Sequence, residues 1–106
     1  LTDKVTVKAA EPITYNIDFD YYVSANMEET IQQAVEGPGG VIARYQQWQM
    51  AKLGRGVNPD YLRKLLFEAG VHRADVRQPT NMDIEPGQVA HVDTITANLI
   101  PIELTI

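Results

Sequence analysis

The chain has 106 residues, a formal charge of −5 and no cysteine. That length sets a single domain, and 44% apolar against 22% charged residues is the composition of a folded chain rather than a disordered one. The absent thiols exclude disulfides, thiolate metal sites and a cysteine nucleophile, the acidic balance argues against a binder of nucleic acid that works through a basic face, and no apolar run approaches the ~20 residues that span a bilayer.

Residues 1–11 read as a lead-in segment in which Val5 and Val7 alternate with Thr6 and Lys8, hinting at a short strand before Pro12. Residues 13–23 carry the clearest pattern. Ile13, Tyr15, Ile17, Phe19, Tyr21 and Val23 share one face, and Thr14, Asn16, Asp18, Asp20, Tyr22 and Ser24 share the other. A period of two predicts a long strand with one buried and one wet face. From Met27 the period changes: Met27, Ile31, Ala34 and Val35 form a helical stripe, with Ser24 or Asn26 as cap and Glu28 and Glu29 at the positive end of the dipole. Gly37-Pro38-Gly39-Gly40 breaks that helix. A second stripe follows, through Val41, Ile42, Tyr45, Trp48 and Lys52/Leu53, and Gly54 is expected as its C-terminal stop. Its opposite face is assigned Arg44, Gln46, Gln47 and Gln49.

Asn58-Pro59 opens a third helix, Asn as N-cap and Pro at the first helical position. Tyr61, Leu62, Leu65, Leu66 and Ala69 are its apolar face, and Gly70 ends it. So short a helix is marginal alone and must pack on the long strand. Residues 71–78 and 92–100 read as two further strands, separated by a turn-rich segment, and Pro101–Ile106 as an alternating tail strand. The expected fold is therefore α+β: a two-layer sandwich of a small, about three-stranded, mostly antiparallel sheet with two to three helices on one face, all in one domain over residues 1–106.

No constellation that carries a reaction stands out, and no cofactor or metal site is read from the residues. His72 and His91 fit no triad or helical zinc pair and read as surface histidines. Asp18 and Asp20 could hold a hard cation or act as an acid–base pair if neighbouring strands helped, but the simpler reading is a solvated strand face. Asn81, Asp83 and Glu85 alternate like a calcium loop, yet Pro86 and Val92 occupy positions where that loop needs Gly and Glu. The glycines at 37–40 lack the Lys-Ser/Thr of a phosphate cradle. Trp48 reads as core, and the Gln-rich face behind it as core-distal surface or contact surface.

One segment is more specific. Lys52-Leu53-Gly54-Arg55-Gly56-Val57-Asn58-Pro59-Asp60-Tyr61-Leu62 resembles the centre of the C-terminal domain of baseplate J-like proteins, components of contractile phage tails. The Ala69-Gly70 helix end, the strand after it, the Leu1–Val7 lead-in, the Pro12–Tyr21 strand, the Pro86–Ala90 loop and Thr94-Ile95-Thr96 also resemble that domain, so the likeness runs along nearly the whole chain. Gly56, where the family often has an acidic residue, the 37–40 break and the long tail depart from it. With no initiator Met at Leu1, the chain is expected to be the C-terminal fragment of a longer baseplate protein. The resemblance implies a structural, non-enzymatic wedge subunit without cofactor. Its implied partners are other wedge and hub proteins and copies of itself, with no nucleic acid or membrane, in a virion baseplate assembled in a bacterial cytoplasm. Gly54, Asn58, Pro59 and Gly70 are its expected structural turns and caps. Gln46, Gln49, Arg55, Ile102, Leu104 and Ile106 are the candidate interface residues. The alternative is a small-ligand-binding or regulatory α+β domain.

Overall fold

Alternating side chains build the central strand. In the computed structural model, which describes residues 11–102, β1 runs Glu11–Ser24 and buries Tyr15, Ile17, Phe19, Tyr21 and Val23 on one face. The readings placed on Val5, Val7, Leu104 and Ile106 lie outside the described residues. A 3-10 turn at Ala25–Met27 leads into α1 (Glu28–Glu36), which buries Ile31 and Val35 and keeps Glu28 and Glu29 in its first turn. Gly37–Gly40 forms the break, held by Gly37 N–H donating to Gln33 O at 2.9 Å.

α2 (Val41–Met50) buries Val41, Ile42, Tyr45 and Gln49. It stops at Met50, short of the expected Lys52/Leu53 turn, and Leu53 is 53% exposed. The reason lies in the chain that follows. Segment 55–56 folds back along the last turn, where the Gln49 amide donates to the carbonyls of Arg55 and Gly56 and the Arg55 guanidinium donates to Trp48 O. The end of α2 is thus satisfied by a returning loop rather than by another helical turn. Gly54 is consequently no helix stop. Its φ of +73° serves a turn whose N–H donates to Gln88 O at 2.8 Å, and a Cβ there would stand 2.9 Å from Pro86 Cα.

α3 (Pro59–Glu68) starts where the Asn58 side chain accepts the Asp60 N–H at 2.9 Å, with Pro59 in its first turn. Leu62, Leu65 and Leu66 are buried. Gly70 follows the Ala69 cap with φ +104°, and Val71 N–H closes the end on Leu66 O.

β2 (Arg73–Gln78) pairs antiparallel with β1, from Asp18↔Gln78 to Tyr22↔Arg73. β3 (Gln88–Ile102) pairs parallel with β1 along its whole length, from Glu11↔Gln88 to Ser24↔Ile102. The order is β2-β1-β3. The fold is the expected α+β sandwich of three strands and helices, but the sheet is mixed and its longer ladder is parallel, not mostly antiparallel. The cause is the connection. β2 ends beside Asp18, and the chain then passes Val57, bridged to Met82, before entering β3 beside Glu11 at the far end of β1. β3 also extends past the expected 92–100, absorbing Gln88–His91 at one end and Pro101 and Ile102, read as tail, at the other. Its extra residue at Asp93–Thr94 makes a bulge between Tyr15↔Val92 and Ile17↔Ile95, and Asn16 Oδ1 accepts the spare Thr94 N–H at 3.2 Å.

The helices cover one sheet face, α1 and α2 against β3 and α3 against β2. The core lies between the layers: Ile17, Phe19, Tyr21 and Val23 from β1, Val35 and Val41, Tyr45, Val57, Leu62 and Leu66. The other sheet face holds Asp18, Asp20 and Tyr22.

Candidate functional site

Three surfaces emerge, each set by a different element. The first is the open sheet face. The register of β2 sets Arg73 opposite Tyr22 and Asp75 opposite Asp20, and a shift between Asp18↔Gln78 and Phe19↔Val76 leaves Arg77 as the extra residue beside Asp18 and Asp20. Arg77 spans both carboxylates, at 2.7 Å to Asp18 and 2.9 Å to Asp20, and Asn98 of β3 donates to Asp20 Oδ1 at 3.0 Å. The Arg77 hydrogen bonds, with help from Asn98, hold the Asp20 carboxyl down at about 2, and the two carboxylates in turn raise the guanidinium. Asp18 and Asp20 therefore face a guanidinium in the place where a cation would sit. Beside them Tyr22 donates to Asp75 at 3.0 Å, which raises the phenol, and Arg73 lies over the Tyr22 ring.

The second surface is a stacked clasp between α2, its returning loop and α3. The Arg55 guanidinium lies 4.3 Å above the Trp48 ring, Trp48 stacks on Tyr61 at 4.1 Å, and Lys64 lies 5.7 Å from the Tyr61 ring. Tyr45 packs on both aromatics from the core side and donates to Asn58 O, and burial pushes its phenol up to about 12. Arg55 is thus bound to its own chain by a ring and a carbonyl. Gln49, a candidate interface residue in the sequence, is fully buried. Its amide holds the loop from inside, so it offers nothing to a partner. Gln46 is half-buried and, with Ala43, Gln47, Met50 and Ala51, lines an open depression of about 460 Å³ on the outer side of α2.

The third surface is the edge of β3. Among the described residues no strand pairs with its outer side. Ile95, Ala97 and Leu99 point to the helical layer yet remain partly uncovered, Ile95 at 45%. Ile102 ends this strand, half-buried. Leu104 and Ile106 lie outside the described residues.

Of the remaining candidates, His72 is exposed just before β2 and His91 is half-buried within β3. Asn81, Asp83 and Glu85 are exposed on a connection whose Met82 is tied to Val57. Among the described residues no three His, Asp or Glu side chains converge, and no helix is long and apolar enough to cross a membrane. Arg77, Asn98, Tyr61 and Ile95 were missed as surface-shaping residues. The alternation of Arg73, Asp75 and Arg77 was the available signal for the first.

Fold and surfaces together define a small two-layer α+β domain with a flat ion-paired face, an aromatic clasp and one long sheet edge. Against known proteins, no family model matches the chain and no curated sequence matches it.

Proposed function

We propose that this domain is a docking module of a contractile-tail baseplate, of the kind found at the C-terminus of baseplate J-like proteins. In this reading it is a structural subunit, not an enzyme, and needs no cofactor. It contacts other wedge and hub proteins and copies of itself in a virion baseplate built in the bacterial cytoplasm. The observation that supports a docking role is the long β3 edge, unpaired among the described residues, with partly uncovered Ile95, Ala97 and Leu99, since strand N–H and C=O groups beside apolar side chains are a template for a partner. The family assignment rests on the turn-and-cap series from Leu53 through Asn58-Pro59 to Ala69-Gly70.

The ligand-binding alternative has less support. The depression on α2 is open and draws its polar groups, Gln46 and Gln47, from one helix, whereas a small-molecule site encloses its ligand with convergent polar groups. The Asp18/Asp20 face is already engaged by Arg77.

The test is genetic. In the source genome, the gene encoding this chain should lie among tail sheath, tube and spike genes, and deleting the codons for residues 11–102 should give particles without assembled baseplates by electron microscopy. A locus without tail genes, or intact contractile particles after the deletion, refutes the assignment.

A further inference from the structure

We infer that the part of β3 just after its bulge, Ile95–Leu99, pairs with the same strand of a second copy, antiparallel and about a twofold axis through Ala97. The inference names a partner and a surface for the docking role proposed above and rests on that reading for its biological setting.

Charge and register favour a copy. The chain as a whole carries −5, so two copies repel overall and self-association needs an uncharged meeting place. Thr94–Ile102 holds no charged residue, which makes this edge a place where two copies meet without placing like charges opposite. Edge strands are commonly protected by an inward-pointing charge or a bulge. Here the bulge lies upstream, at Asp93–Thr94, and leaves the stretch after it regular. Ile95, Ala97 and Leu99 share the helix-side face because they pair with Ile17, Phe19 and Tyr21 of β1. Antiparallel pairing about Ala97 sets Ile95 opposite the copy's Leu99, Leu99 opposite the copy's Ile95, and Ala97 opposite itself. On the other face Thr96 meets Asn98. Across Ile95–Leu99 each apolar residue then meets an apolar residue and each polar one a polar one, the self-complementarity that a closed isologous interface requires. The helices of both copies lie on the same side, and the two sheets join into one of six strands, β2-β1-β3-β3-β1-β2. The partly uncovered Ile95 gains a neighbour, which offsets the exposure it has in the single chain.

The experiment uses the 106-residue chain. Sedimentation equilibrium across micromolar concentrations is expected to give a monomer–dimer equilibrium. Thr96→Lys, on the exposed face, and Ile95→Lys, at the partly uncovered position, are each expected to weaken it about tenfold or more, because twofold symmetry counts each change twice. Ala97→Cys is the register test. The chain has no cysteine of its own, and facing Cα atoms of an antiparallel pair stand about 4.5–5.5 Å apart, within disulfide reach. Mild oxidation should join Ala97→Cys into a covalent dimer and leave Gln47→Cys, exposed on α2, monomeric. Far-ultraviolet circular dichroism checks that each variant is folded. A chain that stays monomeric refutes the self-pairing, and so does one that pairs along β3 only with a different wedge protein. A dimer indifferent to Thr96→Lys and Ile95→Lys, or one in which Ala97→Cys crosslinks no better than Gln47→Cys, refutes the surface. These results concern self-association only, so they separate cleanly from the genetic test of the baseplate role.

Discussion

Gln49 offers the sharpest test of how the α2–loop–α3 unit is held. It is fully buried, its amide donates to Arg55 O at 2.7 Å and Gly56 O at 3.2 Å, and its own Oε1 has no partner. Gln49→Met keeps the length of the side chain and removes both donors. Each lost hydrogen bond is worth about 1 kcal/mol net. Removing the unpartnered Oε1 returns part of that, because a buried oxygen without a donor is itself unfavourable. The expected net loss is about 1–2 kcal/mol, which for a domain of this size lowers the melting temperature by about 4–8 °C per kcal/mol. Urea unfolding followed by Trp48, the only tryptophan, measures it directly. Gln49→Glu sharpens the test through pH. A carboxylate facing two carbonyl oxygens in a buried site is held above its ordinary value of about 4.3. The folded state then binds more protons than the unfolded one. Relative to wild type the variant should be least destabilised below pH ~4 and lose up to about 1.4 kcal/mol per pH unit above it, until its folded value is passed. A Gln49→Met midpoint equal to wild type, or a flat pH dependence for Gln49→Glu, would refute the claim that this amide clasps the loop.

Ile17→Ala and Leu65→Ala remove fully or nearly fully buried side chains from the two layers, and each should cost about 2–5 kcal/mol by the same denaturant assay. Arg77→Met should return Asp20 from about 2 toward its ordinary 3.8, read by carboxyl nuclear magnetic resonance. The sign follows from the lowered value in the folded state. The ion pair's contribution is present above about 3.8 and lost as pH falls through about 2, so the stability gap between wild type and variant should close over that window. Arg55→Ala removes the cation above Trp48 and a donor to Trp48 O. It should shift the Trp48 emission and cost about 0.5–2 kcal/mol; an unchanged spectrum would mean that the clasp is open in solution.

Much of the fold was legible where a pattern was local. The alternation of Ile13–Val23 announces β1, and the Asn58-Pro59 start and Ala69-Gly70 end delimit α3 because caps act within one turn. The Gly37–Gly40 break was equally visible. Gln49 was misread although its spacing was informative: it lies four residues after Tyr45 and eight after Val41, on the buried stripe, and only its polar type suggested surface. Leu53 failed the other way, an apolar residue on the right spacing left exposed because the loop, not the helix, covers the end of α2. The parallel ladder was invisible because direction is set by where the 79–87 connection re-enters the sheet. Pro101 disguised the end of β3, since proline on an outer strand keeps a place in the sheet while it interrupts the pattern read in sequence. For the surfaces, Arg77 between Asp18 and Asp20 joins residues 59 and 57 positions apart, a pairing that follows only from strand register.

The parallel ladder has a consequence for the birth of the molecule. Glu11 and Gln88 are 77 positions apart, and their strands run side by side from there to Ser24 and Ile102. Among the described elements the central strand therefore leaves the ribosome first and waits for its longer neighbour until the three helices and β2 have been made. Pairing at such sequence separation forms slowly, and an unpaired strand rich in Ile, Tyr and Phe invites aggregation meanwhile. The helices, all encoded between the two strands and all packed on the same face, are available earlier and can shelter Ile17, Phe19 and Tyr21 in that interval. A truncation before Gln88 would thus remove more than an appendage: it would leave β1 with half a sheet and a permanently open side.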